Sequence, residues 1–513
     1  MIEKVNYMLS QKMYSVAKKN RDKVAINHNE LEITYGSLVN LINGLSINLN
    51  SHGIGEKTLV CLFLKNSIEF IAYFFSLAKL GAIIIPVDIR FTSKEIADVV
   101  ELFSPQYIIT DDECNNKHAN VINTIIADKI IVEYSKNFNS SCSKFNNSYS
   151  DPVSSFYSDE FIIQYTSGST GKSKGILHTQ RSMYNIFTHV EKTWSLNSDD
   201  RMLCAYVLSS AHATQNFIVP SLLSGATLFI LDIKKVSPRS VAKLIMKHQI
   251  TIFTSLPYFF KLMIQAKGIN SQHFTSIKYI VSGSAPYNEK VGEDFYNLFS
   301  KNLCNMYGMA EIGPTHINRQ NFQKISKSSI GIPYYGVKCK VVSNTGNEVS
   351  HGEIGELYLK SDSHANCYWK NTEESNKVFS SDGWIHTGDL VSVDDEGYYH
   401  IHARKSQVIN VGGNKVSPDD IERSIAIFHG IKDVAVVGVH LEDLSDDVIV
   451  AFVIIDKEKF STIDDLRKYC NCNLVNYKQV RKFIIVDSFP RSDIGKIKKK
   501  ELEILYRASH ALS

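Results

Sequence analysis

The sequence carries no excess charge of one sign: 56 lysines and arginines stand against 53 aspartates and glutamates, a formal net charge of +3. No global field draws the chain to nucleic acid or to anionic lipid, and neither is expected as a partner. Long apolar runs are also missing. The most hydrophobic stretch, FIAYFFSLAKLGAIIIPVD, is interrupted at Lys79, Gly81 and Pro86 and is too short to span a bilayer. It predicts a core helix followed by a buried strand, and no integral membrane association. The N-terminal MIEKVNYMLSQKM contains an acid and lacks a long apolar segment, so it does not read as a signal peptide, and a cytoplasmic address is expected. Paired cysteines are absent as well. The chain has nine, an odd number; only Cys470 and Cys472 lie close together, and no second pair completes a metal site. Reduced, mostly buried thiols are expected. No internal repeat is visible.

What is present is a chain of 513 residues, 44% hydrophobic and 21% charged, which is globular in composition and long enough for more than one structural unit. Through residue 90, helical patterns such as YGSLVNLINGLSINLNSHG alternate with short apolar runs such as LVCLFL and AIIIPV, the rhythm of a parallel α/β sheet. A Ser/Asn-rich stretch from Asn137 to Ser155 predicts a surface loop. The runs GATLFIL, ITIFTSLP and IKYIVSGSAP extend the layered pattern to about residue 320, after which KCKVVS, GELYLKS and LVSVDDEGYYHIHA read as β, the last broken by a turn at Asp394 to Gly397. In SPDDIERSIAIF, Ser417 is placed as N-cap with Pro418 at the first helical position and Asp420 three residues after the cap. The expected class is α/β: a large N-terminal domain, residues 1–403, of layered α/β subdomains plus a β-rich subdomain, and a small C-terminal α+β domain, residues 404–513.

Chemistry enters at YTSGSTGKSKG, Tyr165 to Gly175. A Walker loop needs four residues between its first glycine and the Gly-Lys-Ser/Thr; here Gly168 precedes Gly171-Lys172-Ser173 by two, so that reading fails on spacing. The materials of an anion cradle remain. Glycines permit close backbone approach, amides can form a nest, Thr166, Ser167, Ser169 and Thr170 add hydroxyls, and Lys172 or Lys174 adds charge, in a loop expected between strand and helix. The stretch resembles the phosphate loop of the adenylate-forming superfamily, which includes acyl-CoA synthetases, adenylation domains of peptide synthetases and luciferases. The resemblance extends in the same order to NMYGMAEIGP (Asn305 to Pro314), GEIGELYLKS (Gly352 to Ser361), HTGDL (His386 to Leu390), ARKSQVINVGGNKVSPDDIE (Ala403 to Glu422) and PRSDIGKIKKKEL (Pro490 to Leu502).

That resemblance implies ATP and Mg²⁺ as cofactors and a two-step route, adenylation of a carboxylic acid and then transfer to a thiol. It implies that Glu311 holds Mg²⁺ with help from Thr170, a hard oxygen donor suiting that ion. Tyr307 and Gly308 would line the adenine and acyl pockets, beside Met309. Asp389 matches the ribose-binding acid and Arg404 the arginine that contacts nucleotide. Lys496 matches the mobile lysine brought to the carboxylate and α-phosphate, a compact charge on a flexible stem. Lys498, Lys499 and Lys500 read as a solvated run. Ser406 falls at the hinge about which the family's small domain swings, where many relatives carry Asp or Lys. Gly412 and Gly413 resemble the loop along which a pantetheine thiol enters.

His212 falls where amino-acid-activating relatives carry an aspartate for the substrate ammonium, and near the histidine of acyl- and aryl-CoA ligases, although LSSAHA lacks the Phe usual before it. An α-amino group would be left unpartnered there, which favours a simple carboxylic acid. VSGSAP, with Ser282, Gly283, Ser284 and Ala285, reads much like 4-coumarate:CoA and related ligases and leans towards an aryl or medium-chain acid. The acceptor is expected to be CoA or, alternatively, the phosphopantetheine of an acyl carrier protein acting in trans, since the chain ends about ten residues after KKKEL. A degenerate nucleotide-binding scaffold is disfavoured by retention of the motif residues, and a luciferase-like oxygenase leaves no separate signature.

Overall fold

The computed structural model describes residues 9–111, 114, 131–133, 159–166, 174–232, 236–284, 287, 289–319, 329–411, 414–440, 447–491 and 497–510. The chain divides into two compact units, Met1–Lys338 with Lys360–Ile385, and Cys339–Leu359 with His386–Ser513.

The first unit holds two sheets. Strands β1 (Val24–His28) and β2 (Leu31–Thr34) open the chain, followed by β3 (Leu59–Phe63), β4 (Ile83–Pro86), β5 (Tyr107–Thr110), β6 (Ile131–Glu133), β7 (Glu160–Thr166) and β8 (Lys174–Thr179). Then come β9 (Arg201–Cys204), β10 (Thr227–Ile230), β11 (Ile252–Ser255), β12 (Tyr279–Ser282), β13 (Leu303–Met309), β14 (Gly313–Asn318) and β15 (Ser329–Pro333). One sheet runs β2, β1, β10, β9, β11, β12, β13, β14, β15, parallel from β1 to β13 and antiparallel at both ends. The other runs β6, β5, β3, β4, β7, β8 and ends on the short strand Cys367–Tyr368. Parallel strands buried on both faces read as continuous apolar runs, which is why AIIIPV and ITIF show no alternation. The stretch singled out above forms the helix Ile68–Leu80, capped by the Ser67 side chain and ended by Gly81 at φ +68°, and then β4. That helix is apolar nearly all round because every residue but Glu69 and Lys79 is buried. Phe253, Phe260, Phe295 and Phe299 knit β11 to the helices Pro257–Gln265 and Glu289–Phe299, with Phe260 and Phe295 meeting edge to face at 5.6 Å.

Continuing along the chain, β16 (Lys338–Val342) and β17 (Gly355–Lys360) precede β18 (Cys367–Tyr368), the strand just placed in the first unit. β19 (Ile385–Val393) and β20 (Tyr399–Arg404) follow, joined by the expected turn, in which Gly397 at φ +82° donates to Asp394 O at 3.0 Å. Sheet order in the second unit is β16, β17, β19, β20. The hairpin β21 (Ile409–Val411) and β22 (Asn414–Val416) leads to β23 (Ile431–His440), β24 (Asp447–Ile455) and β25 (Lys482–Ile485). Along β23, Val434 and Val436 pack with Ile421, Ile425 and Leu466 of two helices, while Ala435, Val437 and Val439 pack with Leu502 and Tyr506 of the last. Each face thus has its own helix layer, so VAVVGVH is apolar throughout. The large α/β unit and a smaller one match the fold class expected from sequence, the smaller unit here also taking in residues 339–359 and 386–403; among the described residues no helix is long and apolar enough to cross a membrane. No disulfide joins two of the described cysteines.

Three local expectations need correction. The phosphate loop joins two antiparallel strands, β7 and β8, and the helix begins only at Gln180, because β-favouring GILHT continues the sheet before Thr179 caps the helix. Ser417 stands at the N-cap with Pro418 at the start of the helix as expected, but its hydroxyl donates to His402 O at 2.6 Å and makes no cap hydrogen bond to the helix. Lys499 is not solvated: its ammonium lies 2.7 Å from Glu422 and 3.4 Å from Asp419, tying the last helix to the helix Pro418–Ala426. The Ser/Asn-rich stretch 137–155 lies outside the described residues.

Candidate active site

In the first unit the candidate residues gather around one hairpin. Strands β13 and β14 are joined by a turn in which Ile312 donates to Met309 O at 3.1 Å, with Gly313 at φ +84°. Glu311 sits in this turn, partly exposed. Gly308 is needed for the crossing: a Cβ there would lie 2.4 Å from Gly313 O and 2.7 Å from Pro314 Cα. The glycine expected to line a pocket is thus also the residue that lets the two strands close. Tyr307 is half-buried with its ring edge-on to His316 at 5.8 Å, and Met309 is partly exposed beside it.

The backbone just before Glu311 is clamped. His178 Nε2 donates to Ala310 O at 2.7 Å, and the Gln215 amide donates to the same oxygen at 2.9 Å. Burial lowers the His178 pKa to about 4, so the ring is neutral and its second nitrogen bonds Ser182 Oγ at 3.0 Å. The carboxylate is fixed as well: the Tyr368 hydroxyl donates to Glu311 Oε1 at 2.7 Å, and Ala365 N donates to Glu311 O at 2.6 Å. Tyr368 lies on β18, paired to β8, so one short strand borders both the strand leaving the phosphate loop and the hairpin. Thr166 ends β7 opposite Lys174 at the base of that loop. The Lys174 ammonium is bonded to Glu374 and lies 5.0 Å over the Tyr368 ring. Glu374 is pulled down to about 2 by its hydrogen bonds to Lys174 and Lys377. Ser167, Gly168, Ser169, Thr170, Gly171 and Lys172 lie outside the described residues.

His212 stands at the head of a broken helix: the turn Ala211–Ala213 runs into a π turn, Thr214–Ile218, and then Val219–Ser224, which contains Pro220. Its Nε2 is bonded to Thr254 Oγ1 at 2.8 Å and its Nδ1 to Ser284 Oγ at 3.0 Å, while its ring lies 4.1 Å from that of Tyr206, tilted by 33°. Burial lowers its pKa to about 3, so it is a neutral wall with both nitrogens engaged. Gly283 faces it, since a Cβ there would lie 3.0 Å from Met306 Cε and 3.7 Å from His212 Cε1. Ser282, one residue earlier on the extended strand, points to the opposite face and is fully buried. The structure thus groups His212, Gly283 and Ser284 and leaves Ser282 apart. Ala285 is outside the described residues.

In the second unit Asp389 on β19 lies opposite Arg404 on β20, and Arg404 Nε donates to Asp389 Oδ1 at 2.8 Å. Asp389 N donates to Thr387 Oγ1 at 3.0 Å, and Gly388 N to Glu356 Oε1 at 3.2 Å, a carboxylate that also takes Lys405 at 2.9 Å. Lys496, Gly412 and Gly413 lie outside the described residues, as does the Ser406 side chain. Sequence reasoning missed His178, Gln215, Tyr368 and Glu374. Only Glu374 had a local signal, Asn371 three residues ahead as a helix cap.

Mg²⁺ is commonly held by one or two carboxylates together with substrate phosphates. Glu311, partly exposed and oriented by a neutral hydroxyl, fits that demand. A hairpin-borne acid near the strand that follows the Ser/Thr/Gly/Lys stretch is an arrangement suited to a nucleotide-activating enzyme. Residues 13–369 match the AMP-binding enzyme family and residues 420–496 its C-terminal domain, and the chain belongs to that family of adenylate-forming enzymes. It is 29% identical over 495 residues to a 4-coumarate–CoA ligase-like protein of Arabidopsis thaliana, covering 93% of this chain and 86% of that one. It is 26% identical over 493 residues to an indoleacetate–CoA ligase of Aromatoleum aromaticum, covering 94% and 95%. The fold superposes on ATP-bound MatB from Rhodopseudomonas palustris with a TM-score of 0.89 at 22% identity, over 98% of this chain and 99% of that one. The resemblance read from the six motifs therefore extends over most of the chain.

Proposed function

We propose that the protein joins a carboxylic acid, aryl or medium-chain, to AMP and then to the thiol of CoA. In the first step a carboxylate oxygen bonds the α-phosphorus of ATP as the bond to pyrophosphate breaks. In the second, a thiolate attacks the acyl carbon and AMP departs with the electron pair, leaving a thioester. The observation that carries the reading is the Glu311 hairpin, held by His178 and Gln215 at Ala310 O and by Tyr368 at its carboxylate, next to the strand that leaves the phosphate loop. Preorganised groups of this kind stabilise developing charge without reorganising during the reaction.

Glu311, with Thr170, would hold Mg²⁺, which would neutralise charge on the phosphate oxygens. The loop amides and hydroxyls, with Lys172, would hold the β- and γ-phosphates. Asp389 accepts from the ribose hydroxyls, with Arg404 fixing its orientation. Lys496 supplies positive charge at the carboxylate and α-phosphate, and a swing of the C-terminal residues about Ser406 then gives way to the thiol along Gly412 and Gly413. Against His212 the substrate meets a neutral ring whose two nitrogens bond the hydroxyls of Thr254 and Ser284 rather than a carboxylate that could pair an ammonium. That wall, together with relatives named for 4-coumarate and indoleacetate, supports a simple aryl acid.

The test is acid-dependent ATP–pyrophosphate exchange over a panel of carboxylic acids, repeated with CoA and with a pantetheinylated carrier protein as acceptors. Exchange with an aryl acid and thioester formation with CoA are expected. No exchange with any acid would overturn the reading, and product only on the carrier would replace CoA as acceptor.

A further inference from the structure

We propose that Tyr368 is a positioning residue for the metal-holding carboxylate, its hydroxyl fixing Glu311 while its ring seats Lys174, so that one side chain keeps the acid and the base of the phosphate loop in register. The inference rests on Glu311 holding the metal.

The stretch Ala365–Trp369 makes both connections. Ala365 N donates to Glu311 O at 2.6 Å, Asn366 N to Leu177 O at 2.8 Å and Trp369 N to Gly175 O at 2.7 Å, while Tyr368 pairs with Ile176. The Tyr368 side chain, 5% exposed, has little room to turn: Phe379 meets its ring at 5.5 Å and 63°, the Lys174 ammonium lies over its face, and Tyr368 N donates to Ser375 Oγ at 2.9 Å. Its hydroxyl therefore reaches Glu311 Oε1 from a fixed ring.

The choice of groups suits a cation site. A lysine bonded to Glu311 would hold the carboxylate but repel an arriving divalent ion; a phenol orients it and leaves its charge in place. The nearby cation, Lys174, is instead paired with Glu374 on the helix Thr372–Val378. The charge of Lys174 is thus balanced by Glu374, and Glu311 keeps its own for the metal.

Mn²⁺ binding in the presence of ATP, followed by the loss of the free Mn²⁺ paramagnetic resonance signal, separates the possibilities. Tyr368→Phe keeps the ring and removes the hydroxyl. It is expected to weaken Mn²⁺ binding on the order of 10- to 100-fold, the usual effect of losing an outer partner of a metal ligand. The KM for the acid and the unfolding midpoint should stay near wild type, whereas Tyr368→Leu, which also removes the seat for Lys174, should lower the midpoint as well. Unchanged Mn²⁺ binding in Tyr368→Phe, with Glu311→Gln weakened, overturns the inference and leaves the role of Glu311 intact. Unchanged binding in Glu311→Gln removes the role of Glu311 and the inference with it. Equal loss of midpoint in Tyr368→Phe and Tyr368→Leu makes the residue merely structural and also overturns it.

Discussion

Adding one methyl group at Gly308 should uncouple the Glu311 hairpin from its function without unfolding the chain. The added carbon would lie 2.4 Å from Gly313 O and 2.7 Å from Pro314 Cα. Ordinary contact begins near about 3.5 Å, so the strands must part by about 1 Å. Both obstructing atoms are backbone, and relief comes only by opening the turn that carries Glu311. Overpacking of this kind costs roughly 1–3 kcal/mol, small beside the stability of a unit built on two large sheets. A displacement of about 1 Å at a reacting centre, however, costs on the order of 10²-fold in rate. Gly308→Ala should therefore lower pyrophosphate exchange about a hundredfold or more while the urea midpoint falls modestly and the circular dichroism is retained. Gly346→Ala is the matched control: φ is +87° and nothing lies within 4 Å of the new carbon, so it carries backbone strain without a clash and should leave exchange intact. If Gly308→Ala exchanges as fast as Gly346→Ala, the hairpin is not what positions Glu311.

Lys496→Ala should lose on the order of 10²- to 10³-fold in adenylation yet keep more of the thioester step when given preformed acyl-adenylate; equal loss in both steps would remove its assigned role. Asp389→Ala should raise the KM for ATP and abolish discrimination between ATP and 2′-deoxyATP, since the ribose hydroxyl would have lost its acceptor; retained discrimination would place ribose elsewhere. Acid should destabilise the protein through its buried histidines. The pKa values of His178 and His316 are lowered to about 4 and about 3 by burial, so between those values and about 6.5 the unfolded chain binds more protons. Stability is thus lost as pH falls through that window, on the order of 1 kcal/mol or more per histidine at pH 5. Urea titrations at pH 5 and 7 should show a smaller pH difference in His178→Gln than in wild type, and an unchanged difference would refute the assignment.

The layered sheets were legible because buried parallel strands are written as short apolar runs, and the helix Ile68–Leu80 because Ser67 and Gly81 mark its ends. The site was legible as motifs and not as geometry. Nothing in YWKNTEES says that Tyr368 touches Glu311, because that contact closes 57 positions of chain and depends on β18 pairing with β8. Lys499 was misread for a similar reason: in a run of lysines the one that turns inward is chosen by Glu422 and Asp419 on another helix. The strand after the phosphate loop was misjudged because GILHT is short and abuts a strong helix pattern, so only its two neighbouring strands reveal it.

The π turn after His212 has a consequence for how this enzyme can change. Val219 N donates to Thr214 O, five residues back, so Thr214–Ile218 stores one more residue than a regular turn. An α-helix advances about 100° per residue, so that extra residue works as a slipped gear between His212 and the apolar helix end Val219–Ser224. Deleting one residue there would swing the imidazole about a third of a turn away from Thr254 while Leu222 and Leu223 stayed in the core. Lineages could thus re-aim His212 by a single insertion or deletion, leaving the core packing behind it unaltered.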